Sequence, residues 1–348
     1  MWLRASFFGL VLMVMALPGA DATAQDKRIR VQMQSNFAST VGVLGPNAQY
    51  TVETIKKVTG GTVDIRFFEP GALVPASQAF DAVSSGALDS AWATPGFWTG
   101  KDIAFAVYST VPFGPDGGEY LAWMKHGGGE KLLQALYAKY GIHSMLCNLI
   151  APEASGWFRK EIKTLDDLKG LKMRFFGLGA NVMQKLGVAT QLLQAGEIYQ
   201  ALQLGTIDAT EFSMPSMDLT LGFHQVAKYY YFPGWHQQST FGDMIWNKAK
   251  WDSLSEAQKA QVTASCDSAV LNGFALSEYA QFAALKELKD KGVNFMTWDK
   301  SFLDAYKKAW EEVANEQAQK SPEFKKAWDS LKQFRADYSI WRERAYLR

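Results

Sequence analysis

Three isolated charges in apolar surroundings are where this sequence could do chemistry. Arg174 follows Leu171-Lys172-Met173 and precedes Phe175 and Phe176. Glu211 sits between Thr210 and Phe212, and Glu153 lies in Ala151-Pro152-Glu153-Ala154-Ser155-Gly156-Trp157. A guanidinium at a strand end can grip a carboxylate through two parallel charge-assisted hydrogen bonds. Its alternative use is structural, as the partner of a nearby acid. Glu211 and Glu153 each read alone as loop carboxylates. Gathered near one arginine, they could instead hold a hard cation, or an amine or hydroxyl of a ligand. Phe97, Trp98, Met214 and the run Trp235-His236-Gln237-Gln238 offer apolar wall with a few hydrogen-bonding groups, the composition of a small-molecule pocket. Taken singly, the aromatics read as core.

Motifs for covalent catalysis fail on inspection. His126-Gly127-Gly128-Gly129 has the look of an esterase oxyanion loop, but such a loop needs a G-x-S-x-G nucleophile elbow, and the sequence has none. It reads as a glycine-rich turn. Gly177-Leu178-Gly179 lacks the third glycine and the acidic partner of a dinucleotide fingerprint. There is no P-loop. His126, His143, His224 and His236 show no metal-ligand spacing, and two cysteines do not make a zinc site by themselves. A nucleophilic triad is not indicated, so an exported α/β hydrolase is the weaker alternative, and a ligand-sensing module for a membrane receptor is another.

Residues 1–24 have the three parts of a cleavable export signal: Arg4, an apolar run from Phe7 to Leu17, and Ala22-Thr23-Ala24 before Gln25. The apolar run is well short of the ~20 residues needed to span a bilayer. Cleavage near Ala24-Gln25 is expected, giving a soluble periplasmic protein with no lipid-accepting cysteine at that site. The formal net charge is +1, and removing the leader takes one charge of each sign. That balance argues against nucleic acid, which demands many phosphate contacts. Cys147 ends an apolar run and Cys266 sits in a helical one, which reads as two buried thiols. Pairing in an oxidising compartment is the alternative.

The elements that must position these charges alternate between strand and helix. Strands are expected at 28–33, 63–68 and 87–93, with helices at 46–58 and 76–85 between them. This is the pattern of a mostly parallel sheet covered by helices. It resumes with strands at 144–150, 172–175, 189–193 and 207–212 and helices at 164–168, 180–186 and 197–204, giving a second α/β unit. Arg174 and Glu211 both fall toward strand ends in that unit. Beyond residue 250 the sequence is helical. Ser253-Leu254-Ser255-Glu256 reads as a capping box, and one long helix then runs to about Lys291, interrupted only by Gly273. A further helical block, Phe302 to Arg344, carries Trp310, Trp328 and Trp341.

At these residues the chain resembles the substrate-binding proteins of tripartite ATP-independent periplasmic (TRAP) transporters, closest to the DctP-like branch that binds 2-oxo and hydroxy acids. The segments that carry the likeness include Phe68-Glu69-Pro70-Gly71-Ala72-Leu73-Val74-Pro75, Leu168-Lys169-Gly170-Leu171-Lys172-Met173-Arg174 and Gly196-Glu197-Ile198-Tyr199-Gln200-Ala201-Leu202. Gly205-Thr206-Ile207-Asp208-Ala209 and Tyr230-Tyr231-Phe232-Pro233-Gly234-Trp235 continue it in collinear order. The resemblance implies a two-lobed α/β periplasmic binding fold, type II-like, with a long helix across both lobes and a helical C-terminal block. The implied divisions are lobe 1 at 25–149 with 237–252 returning to it, lobe 2 at 150–236, a bridging helix at 253–291, and C-terminal helices at 292–348. It also implies delivery of a small organic anion to a membrane permease.

Arg174 matches the arginine that clamps a ligand carboxylate, and Glu211 an acid that holds a metal ion beside it. Phe212 falls where tryptophan often supplies a backbone carbonyl to that ion, and Glu153 where glutamine is usual. The implied ligand set is Arg174, Glu153, Phe97, Trp98, Phe212, Met214, Trp235 and Gln238. The implied metal set is Glu211, Phe212 and Glu153, for Na+ or Ca2+ bridging the ligand carboxylate, with no cofactor required. Glutamate for glutamine adds a negative charge near the ligand anion, so a divalent ion such as Ca2+, a different cargo contact, or a side chain turned away all remain open. The C-terminal helix packs on its own lobe or exchanges in a homodimer.

Overall fold

The computed structural model describes residues 27–347. The expected export signal lies outside them. Among the described residues no helix is long and apolar enough to cross a membrane.

The first unit begins with β1 (Ile29–Ser35), whose Ile29, Val31 and Met33 are buried while Arg30 and Gln32 are exposed, the period of a half-covered strand. Helix α1 (Leu44–Val58) follows, then β2 (Val63–Phe68), α2 (Ala79–Ser85), β3 (Ser90–Ala93), α3 (Gly117–Lys125), α4 (Gly129–Ala138) and β4 (Ile142–Ile150). The chain then crosses to a second unit. There β5 (Gly156–Phe158), β6 (Lys172–Arg174), α5 (Gly177–Lys185), β7 (Ala189–Gln191), α6 (Ala195–Leu204), β8 (Ala209–Thr210), α7 (Pro215–Thr220) and β9 (Tyr229–Phe232) succeed one another. It returns through β10 (Thr240–Asn247) and α8 (Lys248–Asp252). Four helices and a strand finish it: α9 (Glu256–Tyr279), α10 (Gln281–Asp290), β11 (Asn294–Thr297), α11 (Lys300–Lys320) and α12 (Pro322–Ala345).

The result is two lobes, each built on its own sheet, ordered β2-β1-β3-β10-β4 and β11-β9-β5-β8-β6-β7. Neither sheet is uniformly parallel. Strand β10 runs antiparallel to β3 and β4, and β5 antiparallel to β8 and β9. Each of these exceptions has just crossed from the other lobe, so it enters its sheet from the cleft side, against the direction of the strands made locally. The crossings are residues 151–155 and 233–239.

The single long helix expected over 253–291 is two helices, broken at Ala280, with α9 passing through Gly273 unbroken. The capping box also lies two residues later than expected. Ser255 accepts from the Gln258 N–H, and the Gln258 side chain accepts from the Ser255 N–H. The reading of two buried thiols is overturned, because Cys147 and Cys266 are joined as a disulfide with Cα atoms 4.2 Å apart. The reason is tertiary: α9 packs face-on against β4 and brings together residues 119 apart in sequence. Asn47 reinforces the same contact, donating to Asn148 Oδ1 at 2.8 Å and to the Ala269 carbonyl at 3.1 Å.

Helix α12 returns to its own first lobe. Phe324, Ala327 and Leu331 are buried, and Glu119 on α3 accepts from Arg335 Nε at 3.0 Å and Arg342 Nη1 at 2.8 Å. The glycine-rich His126–Gly129 segment is the turn between α3 and α4.

Candidate ligand-binding site

Arg174 ends β6 and Glu211 follows β8, and the two strands pair in parallel with Arg174 opposite Thr210. The Glu211 N–H donates to the Arg174 carbonyl at 3.0 Å, which fixes the two side chains at one sheet edge facing the cleft. Gly156 makes room beside them. It adopts φ +127°, and a Cβ there would lie 2.4 Å from the Thr210 carbonyl oxygen, so only glycine lets β5 approach so closely.

Arg174 is almost wholly buried, at 2% exposure. Its Nη1 donates to the Glu211 carboxylate at 2.9 Å and to the Glu211 carbonyl, and its Nε donates to the Leu193 carbonyl at 3.3 Å. The guanidinium carbon stands 5.3 Å over the Phe212 ring. Both readings of this arginine therefore have a physical footing: Nη1 is paired structurally with an acid, and the residue also borders a cavity.

Glu153 reaches the same place from the first crossing. Its Oε1 accepts from Ser213 Oγ at 3.0 Å, its N–H donates to the Gln237 carbonyl at 3.1 Å, and its carbonyl accepts from the Gly234 N–H at 3.0 Å. Gly234 packs so tightly here that a Cβ would sit 2.2 Å from the Glu153 oxygen. The second crossing brings His236, whose ring edge meets Phe175 at 5.0 Å. His236 Nε2 lies 3.5 Å from Glu211 Oε1 and 3.9 Å from Glu153 Oε2.

These three atoms share a property. Glu153 Oε2, Glu211 Oε1 and His236 Nε2 are buried with no hydrogen-bond partner among the described residues. Buried polar groups are nearly always satisfied, so three orphans converging on one point fit a cation. Burial first, and then the Glu211 charge, push the Glu153 carboxyl well above the usual range. Burial acts against the Glu211 charge too, but the Arg174 guanidinium, His236 and the Phe176 N–H outweigh it and hold that carboxyl below its ordinary value.

The cavity bordered by these groups has a volume of about 40 Å³. Arg174, Glu153, Phe97 and Phe212 line it, together with Phe37, Phe176, Asn148 and Gln237. Glu211 lies beneath, fully buried.

A family model described as bacterial extracellular solute-binding protein, family 7 (DctP), matches residues 35–321. The chain belongs to this family. It is 33% identical over 316 residues to a monocarboxylate 2-oxoacid-binding periplasmic protein of Nostoc sp., covering 90% of this chain and 86% of that one. Its fold superposes on a TRAP transporter solute-binding protein of Bordetella bronchiseptica with a TM-score of 0.89 at 34% identity, covering 92% of this chain and 95% of the other. That protein is described with copurified calcium and picolinate. A TRAP periplasmic solute-binding protein of Pseudoalteromonas atlantica, described with sodium and pyruvate, gives 0.88 at 31% identity, covering 92% and 97%. TRAP solute-binding proteins are periplasmic receptors that take small organic acids and work with membrane permease subunits.

In this DctP-family chain four of the residues expected at the ligand turn away from the cavity. Trp98 packs against Phe80 in the first lobe's core. Met214 is fully buried, its sulfur against Gln281 of α10. Trp235 stacks between Phe113 and Tyr306, and the Gln238 amide donates back to the Gly234 carbonyl. The crossing strap is not a regular strand, so its successive side chains meet unrelated surroundings and their sequence order does not tell which face the ligand. Gln237 and His236 are the members of that strap at the site. The run that holds both stood out in the sequence, but their partners did not, since those sit on other segments.

Proposed function

We propose that this protein is the extracytoplasmic receptor of a TRAP transporter for a small monocarboxylate of the 2-oxo or hydroxy acid class. Export follows cleavage near Ala24-Gln25, and the loaded receptor hands its acid to the permease without chemical change. Arg174 Nη2 takes one ligand carboxylate oxygen. Glu153 and Glu211, with the Phe212 carbonyl as a further donor, would hold a cation that supplies positive charge beside the ligand carboxylate. In this reading helix α12 packs on its own first lobe, where Glu119 accepts from Arg335 and Arg342.

The observation that carries the ligand class is the charge of the lining. Among the described residues bordering the cavity, Arg174 is the only cationic side chain; the rest of the lining is mainly apolar, Phe37, Leu44, Phe97 and Phe176 among it, with neutral polar groups such as Asn148 and Gln237. A second carboxylate placed there would lose its hydration without a cationic partner, at a cost of several kcal/mol. A short apolar tail suits it instead.

The test is calorimetry of the mature protein against pyruvate, 2-oxobutyrate, lactate, picolinate, malonate and succinate, each with Ca2+ or Na+ present. Tight binding of one or more monocarboxylates with no heat from the dicarboxylates supports the reading. Preference for a dicarboxylate sinks it.

A further inference from the structure

We propose that the loop between β1 and α1 is a strained latch over the cleft. Val43 in this loop holds an unfavourable backbone conformation that the closed lobes impose, and relief of that strain drives the receptor toward its open form. The proposal rests on the cleft being the acid site, and goes beyond that reading in naming the residue that opposes closure.

The backbone is the first support. Val43 has φ 58° and ψ −60°, and the Leu44 N–H donates to the Gly42 carbonyl at 2.6 Å. That is a γ-turn of positive φ, a rare and strained form. Among the described residues only Val43 and Phe113 have positive φ without being glycine. Of these only Val43 is β-branched, the kind of side chain that tolerates it least. Such a conformation persists only where its surroundings over-determine it.

Two sets of contacts do so, one from each lobe. In the first lobe the Ser39 N–H donates to Glu69 Oε2 at 3.0 Å, and Gly45 packs so closely that a Cβ on it would lie 2.3 Å from the Ser39 carbonyl oxygen. Across the cleft the Gly42 backbone rests on the start of α7. A Cβ on Gly42 would be 3.4 Å from the Ser216 carbonyl oxygen and 3.8 Å from the Met217 Cα. Phe37 and Leu44, on either side of these contacts in the chain, border the cavity. Arg174 and Glu153 are only 2% and 5% exposed, so an acid reaches them when the lobes part, and parting them removes the contact with α7. Gly42 is then free to turn, and Val43 returns to negative φ while the bonds within the first lobe stay.

The test uses the mature chain without acid, carrying spin labels on Lys57→Cys in α1 and Leu204→Cys in α6, exposed positions in different lobes. Pulsed electron–electron double resonance reads the ratio of closed to open molecules. Val43→Gly and Val43→Ala both delete the buried side chain, but only glycine accepts positive φ without strain. The closed-to-open ratio of Val43→Gly should exceed that of Val43→Ala by about five- to a hundredfold, the equivalent of the strain in one such residue. Equal ratios, or no closed molecules in either variant, overturn the proposal. The unmodified protein gives a second reading should a variant not fold. Without acid it should be mainly open, with a weak nuclear Overhauser effect between the Val43 N–H and its own Hα, which is strong only at positive φ. A mainly closed protein, or a strong effect in the open one, overturns the proposal. Neither measurement uses an acid, so the two readings fail separately. No binding of any monocarboxylate sinks the proposed function and leaves the latch. Equal ratios in the two variants, with pyruvate bound tightly, do the reverse.

Discussion

Arg174 and Glu211 form an ion pair at 2.9 Å with both side chains essentially removed from solvent. A pair so placed has two separable jobs. It neutralises an acid that could not otherwise be charged there, and it orients the guanidinium edge that remains.

The two jobs predict different mutant behaviour. Arg174→Ala strips the buried Glu211 of its partner and should cost about 3–5 kcal/mol of stability as well as ligand binding. The double variant Arg174→Met/Glu211→Gln removes both charges and should regain most of that stability while still failing to bind pyruvate. Urea unfolding and calorimetry on the same samples check this. A double variant as unstable as the single one would show that the pair is not the reason for the loss.

Asp243 supplies a pH dependence. It is fully buried, follows a bulge in β10, and accepts from the Tyr137 hydroxyl. Burial pushes its pKa up to about 7. Because the folded value exceeds the unfolded value of about 3.9, the group contributes nothing below pH ~4, where both states are protonated. As pH rises from about 4 to 7 the unfolded chain ionises while the folded protein keeps its proton, so stability falls, and it levels off above 7. Asp243→Asn keeps an acceptor for Tyr137 and removes that slope. The unfolding free energy of the variant minus that of the wild type should climb by a few kcal/mol across this window. A flat difference would mean Asp243 is ionised in the folded state.

The disulfide should be a stability element separable from binding. Its closed loop is long, at a sequence separation of 119, and the chain-entropy account assigns loops of that size about 4–5 kcal/mol. Cys147→Ala/Cys266→Ala should lower the thermal midpoint by several degrees while pyruvate affinity is largely retained. Loss of binding in a folded double variant would mean the bond shapes the cleft itself.

Glu119 is the attachment of the C-terminal helix. It is 2% exposed and receives Arg335 and Arg342, which are themselves only partly buried. Glu119→Ala should therefore cost less than a fully buried pair would, about 1–3 kcal/mol, and should expose the segment after Ser321 to limited proteolysis. Protection unchanged from wild type would show that the apolar contacts of Phe324 and Leu331 suffice.

What was readable in advance follows physical range. Strands β1 and β2 announce themselves because burial alternates along them, and Arg174 and Glu211 because a charge beside an apolar run is locally conspicuous. The strand expected over 207–212 shrinks to Ala209–Thr210. His236 was not legible as a partner of Glu153 and Glu211: three separate segments meet there, and no spacing within one segment records that. The Cys147–Cys266 bond was hidden for the same reason. The break at Ala280 has no glycine or proline to mark it, and only the different packing of the two helices accounts for it.

That break has a consequence for how occupancy could be read from outside. Helix α9 is welded to the first lobe by the disulfide and Asn47, whereas Gln281 at the start of α10 exchanges two hydrogen bonds with Ser216 of the second lobe. The two helices are then the arms of a goniometer pivoting at Ala280, and any rotation between lobes is transcribed into the angle between them. Tyr279 and Phe282 flank the pivot on the outer surface, so a pair of spectroscopic labels, one along each arm, would turn the receptor into a gauge of its own cargo.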